Sequence, residues 1–427
     1  MEAKTITLIL FLITYACLLI YSKAKAYIAI GCALIFAILG QIGLLPVYNY
    51  LAAIDWNVIM MIAGTMGVVS LFIESKMPSK LADFIIDRVP NVKWAMVSLA
   101  LFAGVISAFV DNVATVIMVA PVALNISKKL RISPIPSIIT IAVSSNLQGV
   151  ATLVGDTTSI LLGGEANMNF LDFFFYKGRP GIFWVVEAGA LATVFILLWL
   201  FKKYKHPIKS MNKTVVKDYF PTVLLVGIVV LLTAASFIGN KPAITNGLIC
   251  VGLMVVGLIR KFIKTRDKNT LADALREIDY TTLSLLAGLF IVIGGIKEVG
   301  IIEDIGAFFV YAGKGNLFVI YSLILWASVA ISAVIDNIPY VATMLPVTTA
   351  IAATMGIDPT ILYFGLLVGA TLGGNITPIG ASANIAGIGI LRKAGYDVEA
   401  KDFMRISVPF TLTAVATGYI LVWLIWA

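Results

Sequence analysis

The chain has 427 residues, 60% of them hydrophobic and 13% charged, with a formal net charge of +8 and a mean hydropathy of +1.00. A water-soluble fold of this size needs far more charged surface, so the composition excludes a soluble enzyme or binding module and requires an integral membrane protein. The positive charge is confined to short loops between apolar spans, which excludes a nucleic-acid surface, and Cys17, Cys32 and Cys250 lie inside apolar segments without metal-ligand spacing, so neither a disulfide framework nor a zinc site is expected.

About 20 apolar residues cross a bilayer as a helix. Thr5–Ile20 is such a stretch without a small-residue cleavage site before Lys23 and Lys25, and reads as a retained first helix. Spans follow at 27–45 and 57–75, then a short amphipathic interfacial stretch at 77–90. Residues 94–127 are apolar but interrupted at Asp111-Asn112, with Lys93 at one end and Lys128, Lys129 and Arg131 at the other. Basic loops stay in the cytoplasm, so a segment basic at both ends predicts a re-entrant helical hairpin. An interrupted span at 133–163, a span at 181–201 and a Lys-rich linker at 202–218 complete the first half. The second half predicts spans at 219–238, 242–259 and 280–297, a hairpin at 317–354, an interrupted span at 359–391 and a span at 406–426. With loops 202–217 and 260–276 cytoplasmic, all but six of the 31 Lys and Arg fall on that side of a plasma (inner) membrane. The exceptions are Lys4, Lys177, Arg179, Lys241, Lys297 and Lys314.

The halves repeat. Asp55-Trp56 recurs as Asp279-Tyr280 and Ala63-Gly64 as Ala287-Gly288; Asp111-Asn112 recurs as Asp336-Asn337, Pro121 as Pro346, Gly149 as Gly374, Thr152 as Thr377 and Gly155 as Gly380. Five spans separate equivalent elements, so the second copy is inverted, as in secondary transporters with discontinuous helices. The expected fold is an all-α polytopic membrane protein of two inverted repeats, 1–201 and 219–427, each with a re-entrant hairpin and an interrupted helix.

Four segments hold nearly all the polar groups expected at membrane depth: the tips Asp111–Thr115 and Asp336–Tyr340, and the interruptions Ser144–Ser159 and Thr371–Asn384. Glycine permits unwound backbone and close approach, Pro378 removes a helical donor, and freed carbonyls, amides and hydroxyls can ligate a cation. The candidate binding residues are Asp111, Asn112, Thr115, Asn146, Thr152, Gly155, Asp156, Thr157, Asp336, Asn337, Asn375, Thr377, Gly380, Ser382 and Asn384, with sodium expected at Asn112, Asn337 and adjacent backbone. Interhelical packing is the simpler role for any one of the Asn, Ser and Thr, and helix N-caps the simpler role for Asp111 and Asp336. Intramembrane carboxylates are costly and need a purpose. Asp156 has no acidic counterpart, since Ala381 stands in its place, and is the sharpest candidate for proton or cation coupling. Glu187 is a weaker one, while Glu74 and Glu298 fall near the interfaces. The chain has no GxxxxGK[ST] loop and no HExxH, so neither a nucleotide-driven pump nor an enzyme is indicated.

The stretches SAFVDNVATVIMVAPV, GVATLVGDTTSILLG, SAVIDNIPYVATMLPV and GGNITPIGASANIAGIG resemble the ion transporter superfamily, in the branch of arsenite/antimonite permeases, P protein and sodium/proton antiporters, with a citrate transporter-like fold. The resemblance covers nearly the whole chain. It implies an elevator-type carrier, a homodimer in lipid, with no cofactor beyond a coupling H+ or Na+. Dicarboxylate carriers read Ser-Asn-Thr at the tips; here Asp111 and Val113, and Asp336 and Ile338, flank the asparagines. Added carboxylates disfavour a multivalent anion and favour a small inorganic solute such as arsenite, or cation exchange. The alternatives are sodium/proton antiport and sodium-coupled carboxylate uptake.

Overall fold

Short polar side chains decide where the helices begin. The carboxylates of Asp55 and Asp279 accept from the amides of Val58 (3.0 Å) and Thr282 (3.1 Å), and the side chains of Asn91 and Asn316 accept from Trp94 and Val319 (both 3.2 Å). Each satisfies an amide that the first helical turn leaves free. These caps occur in pairs, one in each half of the chain.

The computed structural model describes residues 3–21, 24–207, 214–216, 218–266 and 275–427. Lys23 and parts of the basic loops 202–218 and 260–276 lie outside the described residues. The first half contains α1 (Ala3–Ile20), α2 (Lys25–Gln41), a single turn α3 (Tyr50–Ala53), α4 (Trp56–Glu74), α5 (Met77–Ile86), α6 (Val92–Ser107), α7 (Asn112–Leu130), α8 (Ile135–Gly149) and α9 (Thr157–Glu165). A two-residue ribbon, β1 (Phe175–Tyr176) and β2 (Arg179–Pro180), then leads into α10 (Ile182–Leu200). The second half contains α11 (Phe220–Ser236), α12 (Thr245–Thr265), α13 (Tyr280–Glu298), α14 (Ile301–Ala312), α15 (Leu317–Ser332), α16 (Asn337–Met355), α17 (Thr360–Gly373), α18 (Ser382–Lys393) and α19 (Ala400–Trp426). Among the described residues, eight helices are long and apolar enough to cross a membrane, and up to nine if α14 and α15, bent by 116°, form one broken span.

The protein is an all-α polytopic membrane protein whose inverted repeats exchange helices. α4 packs against α12 and α13 against α2; α6–α8 is matched by α15–α17, α5–α7 by α14–α16, and α7–α18 by α16–α9. The equivalent glycines of the sequence repeat sit where the exchanged helices cross. A Cβ on Gly64 would fall 2.4 Å from the carbonyl carbon of Cys250, and one on Gly288 2.5 Å from that of Ala29. Only glycine lets the backbones come this close. The two hairpins are α6–α7 and α15–α16, and the interrupted helices are α8–α9 and α17–α18, at the expected places. Besides the single turn α3 and the β1–β2 ribbon, one helix escaped the sequence reading: α14 is the image of α5, which alone was recognised as a short amphipathic stretch.

The core is centred on the interrupted helices. Every residue of α17, and of α8 from Ser137 to Gly149, is buried. The polar side chains Ser144, Ser145, Asn146 and Gln148 therefore face protein, which together with a water-filled cavity is where polar or unwound segments are stable at membrane depth.

Candidate solute and ion site

Each tip is stitched to the break of its own interrupted helix in the same way. The Thr152 hydroxyl donates to the carbonyl of Ala108, and its image Thr377 to that of Ala333. A Cβ on Gly155 would sit 2.4, 2.6 and 2.7 Å from the carbonyl oxygens of Gly149, Ser107 and Ala108. On Gly380 it would sit 2.6 Å from the carbonyl of Gly374 and 2.9 Å from those of Ala333 and Ser332. Both glycines are thus enclosed by three carbonyl oxygens that leave no room for a side chain. These two repeated glycines are required by close approach, and each brings a cluster of hard oxygen donors to the junction of tip and break.

The two halves are then joined by amides. The Asn112 side chain donates to Oδ1 of Asn146 (2.9 Å), and Nδ2 of Asn146 donates to the Thr371 carbonyl (2.8 Å) and to Oδ1 of Asn375 (3.1 Å). Nδ2 of Asn375 returns to the Val143 carbonyl (3.0 Å), and the Thr158 and Thr371 hydroxyls meet at 3.1 Å. Asn146 is fully buried and bridges the first tip to the second broken helix. Asn384 donates to the carbonyls of Gly374 (3.0 Å) and Thr377 (2.9 Å), holding the second break open.

Three aspartates cap half-helices. Asp111 accepts from the amides of Val113 (3.0 Å) and Ala114 (3.1 Å), Asp336 from Ile338 (3.3 Å), and Asp156 from Thr157 (2.8 Å) and the Thr158 hydroxyl (2.8 Å). The capping role foreseen for Asp111 and Asp336 is present, with the helix dipole favouring each charge. Ala381, in the place of Asp156, offers no side-chain cap.

A cavity of about 200 Å³ opens beside these groups. Asp111, Asn112, Asp156, Thr157, Asn337 and Ser382 line it, so six of the fifteen candidate residues meet in one space drawn from both repeats. Thr115, Asn146, Thr152, Gly155, Asn375, Thr377, Gly380 and Asn384 are not on its wall. Of these, Asn146, Thr152, Asn375, Thr377 and Asn384 hold the tips and breaks by hydrogen bonds, and Thr115 lies buried beneath the first tip. Asp336 is outside the wall as well, with its carboxylate 2.7 Å from the Lys25 ammonium of α2. Glu187 is half-buried on α10, and Glu74 pairs with Lys261 at 2.5 Å. Glu298 borders a separate cavity of about 500 Å³ with Asp55, Glu165 and Lys297.

Two acidic wall residues were not among the candidates: Glu277 and Asp279, at the entry to α13. Asp279 carried a signal, its pairing with Asp55 in the repeat; Glu277 and Lys25 carried none. Among the described residues the wall therefore holds the carboxylates Asp111, Asp156, Glu277 and Asp279 and no Lys or Arg. Among the described residues no three His, Cys, Asp or Glu converge as a metal cluster. The carboxylates border the space separately.

Comparison with known proteins agrees with this architecture. The family described as citrate transporter matches residues 8–369. An uncharacterized transporter of Mycobacterium tuberculosis is 31% identical over 393 residues, 88% of each chain. Human P protein is 25% identical over 453 residues, 86% of this chain and 54% of its own. Among solved structures, the YdaH transporter of Alcanivorax borkumensis superposes with a TM-score of 0.60 at 15% identity, over 91% of this chain and 88% of its own.

Proposed function

Since the chain belongs to the citrate transporter family of the ion transporter superfamily, a family of membrane carriers, we propose that it is an H+- or Na+-coupled secondary transporter that exports a small inorganic solute such as arsenite. One observation carries this reading: among the described residues, the cavity where tips and breaks meet has four carboxylates and no cation on its wall. A neutral metalloid acid enters such a space without charge repulsion, whereas a multivalent carboxylate would have to bring its own cations. Asp156, capping α9 with no ion pair among the described residues, is the group that takes up or releases the coupling ion. Carbonyls around Gly155 and Gly380, with Asn112 and Asn337, supply oxygen ligands suited to Na+.

In this reading the hairpins and interrupted helices move together past the remaining helices, elevator-fashion, in a homodimer. The units are 1–201 and 219–427 joined by the linker 202–218, with the basic loops cytoplasmic in the inner membrane. Everted vesicles test it: an imposed pH gradient drives arsenite accumulation, and gradient-independent or absent uptake refutes the substrate. The acidic wall also favours a second reading, sodium/proton antiport, in which Na+ alone dequenches a pH dye in proteoliposomes without any metalloid present. A third, sodium-coupled citrate or dicarboxylate uptake, predicts sodium-dependent accumulation of labelled citrate.

A further inference from the structure

A second polar cavity, of about 520 Å³, lies away from the acidic one, where the end of α10, the segment after it, the start of α8 and the first turns of α19 come together. Its charged wall residues are Lys202, Lys203 and Arg405 against one carboxylate, Asp402. None of the four makes an ion pair among the described residues. Three cations against one carboxylate around a hollow leave a net attraction for an anion. The remaining wall is amphipathic, with the Trp199 ring under the Lys202 ammonium at 5.4 Å, and Leu200, Ile135 and Tyr204 nearby.

The face leading into this hollow is apolar. Leu191, Phe195 and Trp199 recur at four-residue spacing on α10 and are 68%, 75% and 60% exposed, which puts them in one stripe along the helix. The stripe ends at the basic hollow. A tryptophan and lysines at the end of a membrane helix mark the headgroup level, and a basic pocket between helices at that level suits an anionic lipid headgroup. A free anion would use the cations but not the stripe.

We propose that this hollow binds the phosphate headgroup of an anionic phospholipid, with one acyl chain along Leu191, Phe195 and Trp199. The site also reaches the first hairpin. The segment carrying Lys202 and Lys203 continues into Tyr204 and His206, whose carbonyls accept from Lys93 (2.8 Å) and Val92 (3.0 Å) at the base of α6. A lipid held there joins α8, α10 and α19 to the foot of that hairpin.

Native mass spectrometry of the full chain in detergent, supplied with equal phosphatidylglycerol and phosphatidylcholine, tests the proposal. The expected result is retained phosphatidylglycerol in preference to phosphatidylcholine. Lys202→Gln/Lys203→Gln should lose that retention on the order of tenfold or more, each basic group contributing about fivefold. Arg405→Gln, on a different helix, should lose about fivefold and keeps the test valid if the double variant does not fold. Lys128→Gln/Lys129→Gln, an equal loss of charge at the end of α7, should leave retention unchanged. Equal retention of both lipids, retention surviving in both hollow variants, an equal loss in the α7 control, or displacement of the lipid by millimolar inorganic phosphate would each overturn the assignment.

Discussion

The first hairpin tip and the second are the same local structure in different company. Both carry Asp-Asn at the break, both aspartates cap the helix that follows, and both are tied to their broken helix by a threonine-to-carbonyl bond at equivalent positions. Yet Asp111 faces a cavity shared with Asp156, Glu277 and Asp279, while Asp336 is paired with Lys25. The contacts of Gly64 with Cys250 and of Gly288 with Ala29 set the register between the exchanged helices α12 and α2. By that register Lys25 matches Asn246, an amide. Duplication copied the backbone and its caps, and the surrounding helices gave one tip a carboxylate with no ion pair among the described residues and the other a carboxylate held by a lysine. Charge at membrane depth persists only where something makes use of it or neutralises it. On the reading above, the first tip is the working side and the second is held by its lysine.

The largest effect should come from Asp156→Asn, which keeps the shape of the cap and removes the titratable group without a counterpart. Coupled transport in everted vesicles should fall by about two orders of magnitude, the range for loss of a proton-carrying side chain, with the thermal unfolding temperature little changed. Asn384→Ala, which releases the second break, should instead lower the amount of folded protein. Equal loss of folded protein in both variants would remove the coupling role.

Next come the enclosed glycines. Gly155→Ala and Gly380→Ala each force a methyl into three carbonyls, a cost of about 1–3 kcal/mol. The first should be worse, since its nearest oxygen is 2.4 Å away against 2.6 Å. Unfolding temperatures of the two variants rank them, and a wild-type value in either would show that the breaks have room for a methyl group.

The tips themselves are compared by Asp111→Asn and Asp336→Asn. The first should cut transport about tenfold, as for one lost charge-assisted contact. The second should act mainly on stability, by about 1 kcal/mol for a partly exposed pair. Lys25→Met should resemble Asp336→Asn, and the double variant should be milder than the sum of the singles, because removing both partners leaves no unpaired charge. Additive losses would show that the two groups do not act as a pair.

The last comparison concerns the link between repeats. Asn146→Ala takes away the partners of Asn112 Nδ2 and Asn375 Oδ1 and should cost about 1–3 kcal/mol of stability, read as an earlier midpoint in detergent-induced unfolding.

Composition and pattern alone determined the broad result: a membrane chain, two inverted copies, and four polar interruptions placed to within a few residues of the breaks at 108–111, 150–156, 333–336 and 374–381. They were legible because a bilayer imposes a length on apolar runs and tolerates unwound, polar backbone only inside protein. α14 was missed because twelve amphipathic residues between longer spans leave a weak signal. Which candidates share a cavity, the entry of Glu277 and Asp279 into it, and the capture of Asp336 by Lys25 were decided by tertiary structure alone. Lys25 and Asp336 are 311 residues apart, and no local propensity encodes a contact made by exchanging helices between repeats. The same holds for the basic hollow, whose cations come from distant points of the chain. Hydrophobic length fixes the elements one at a time, and only their packing decides which charges meet.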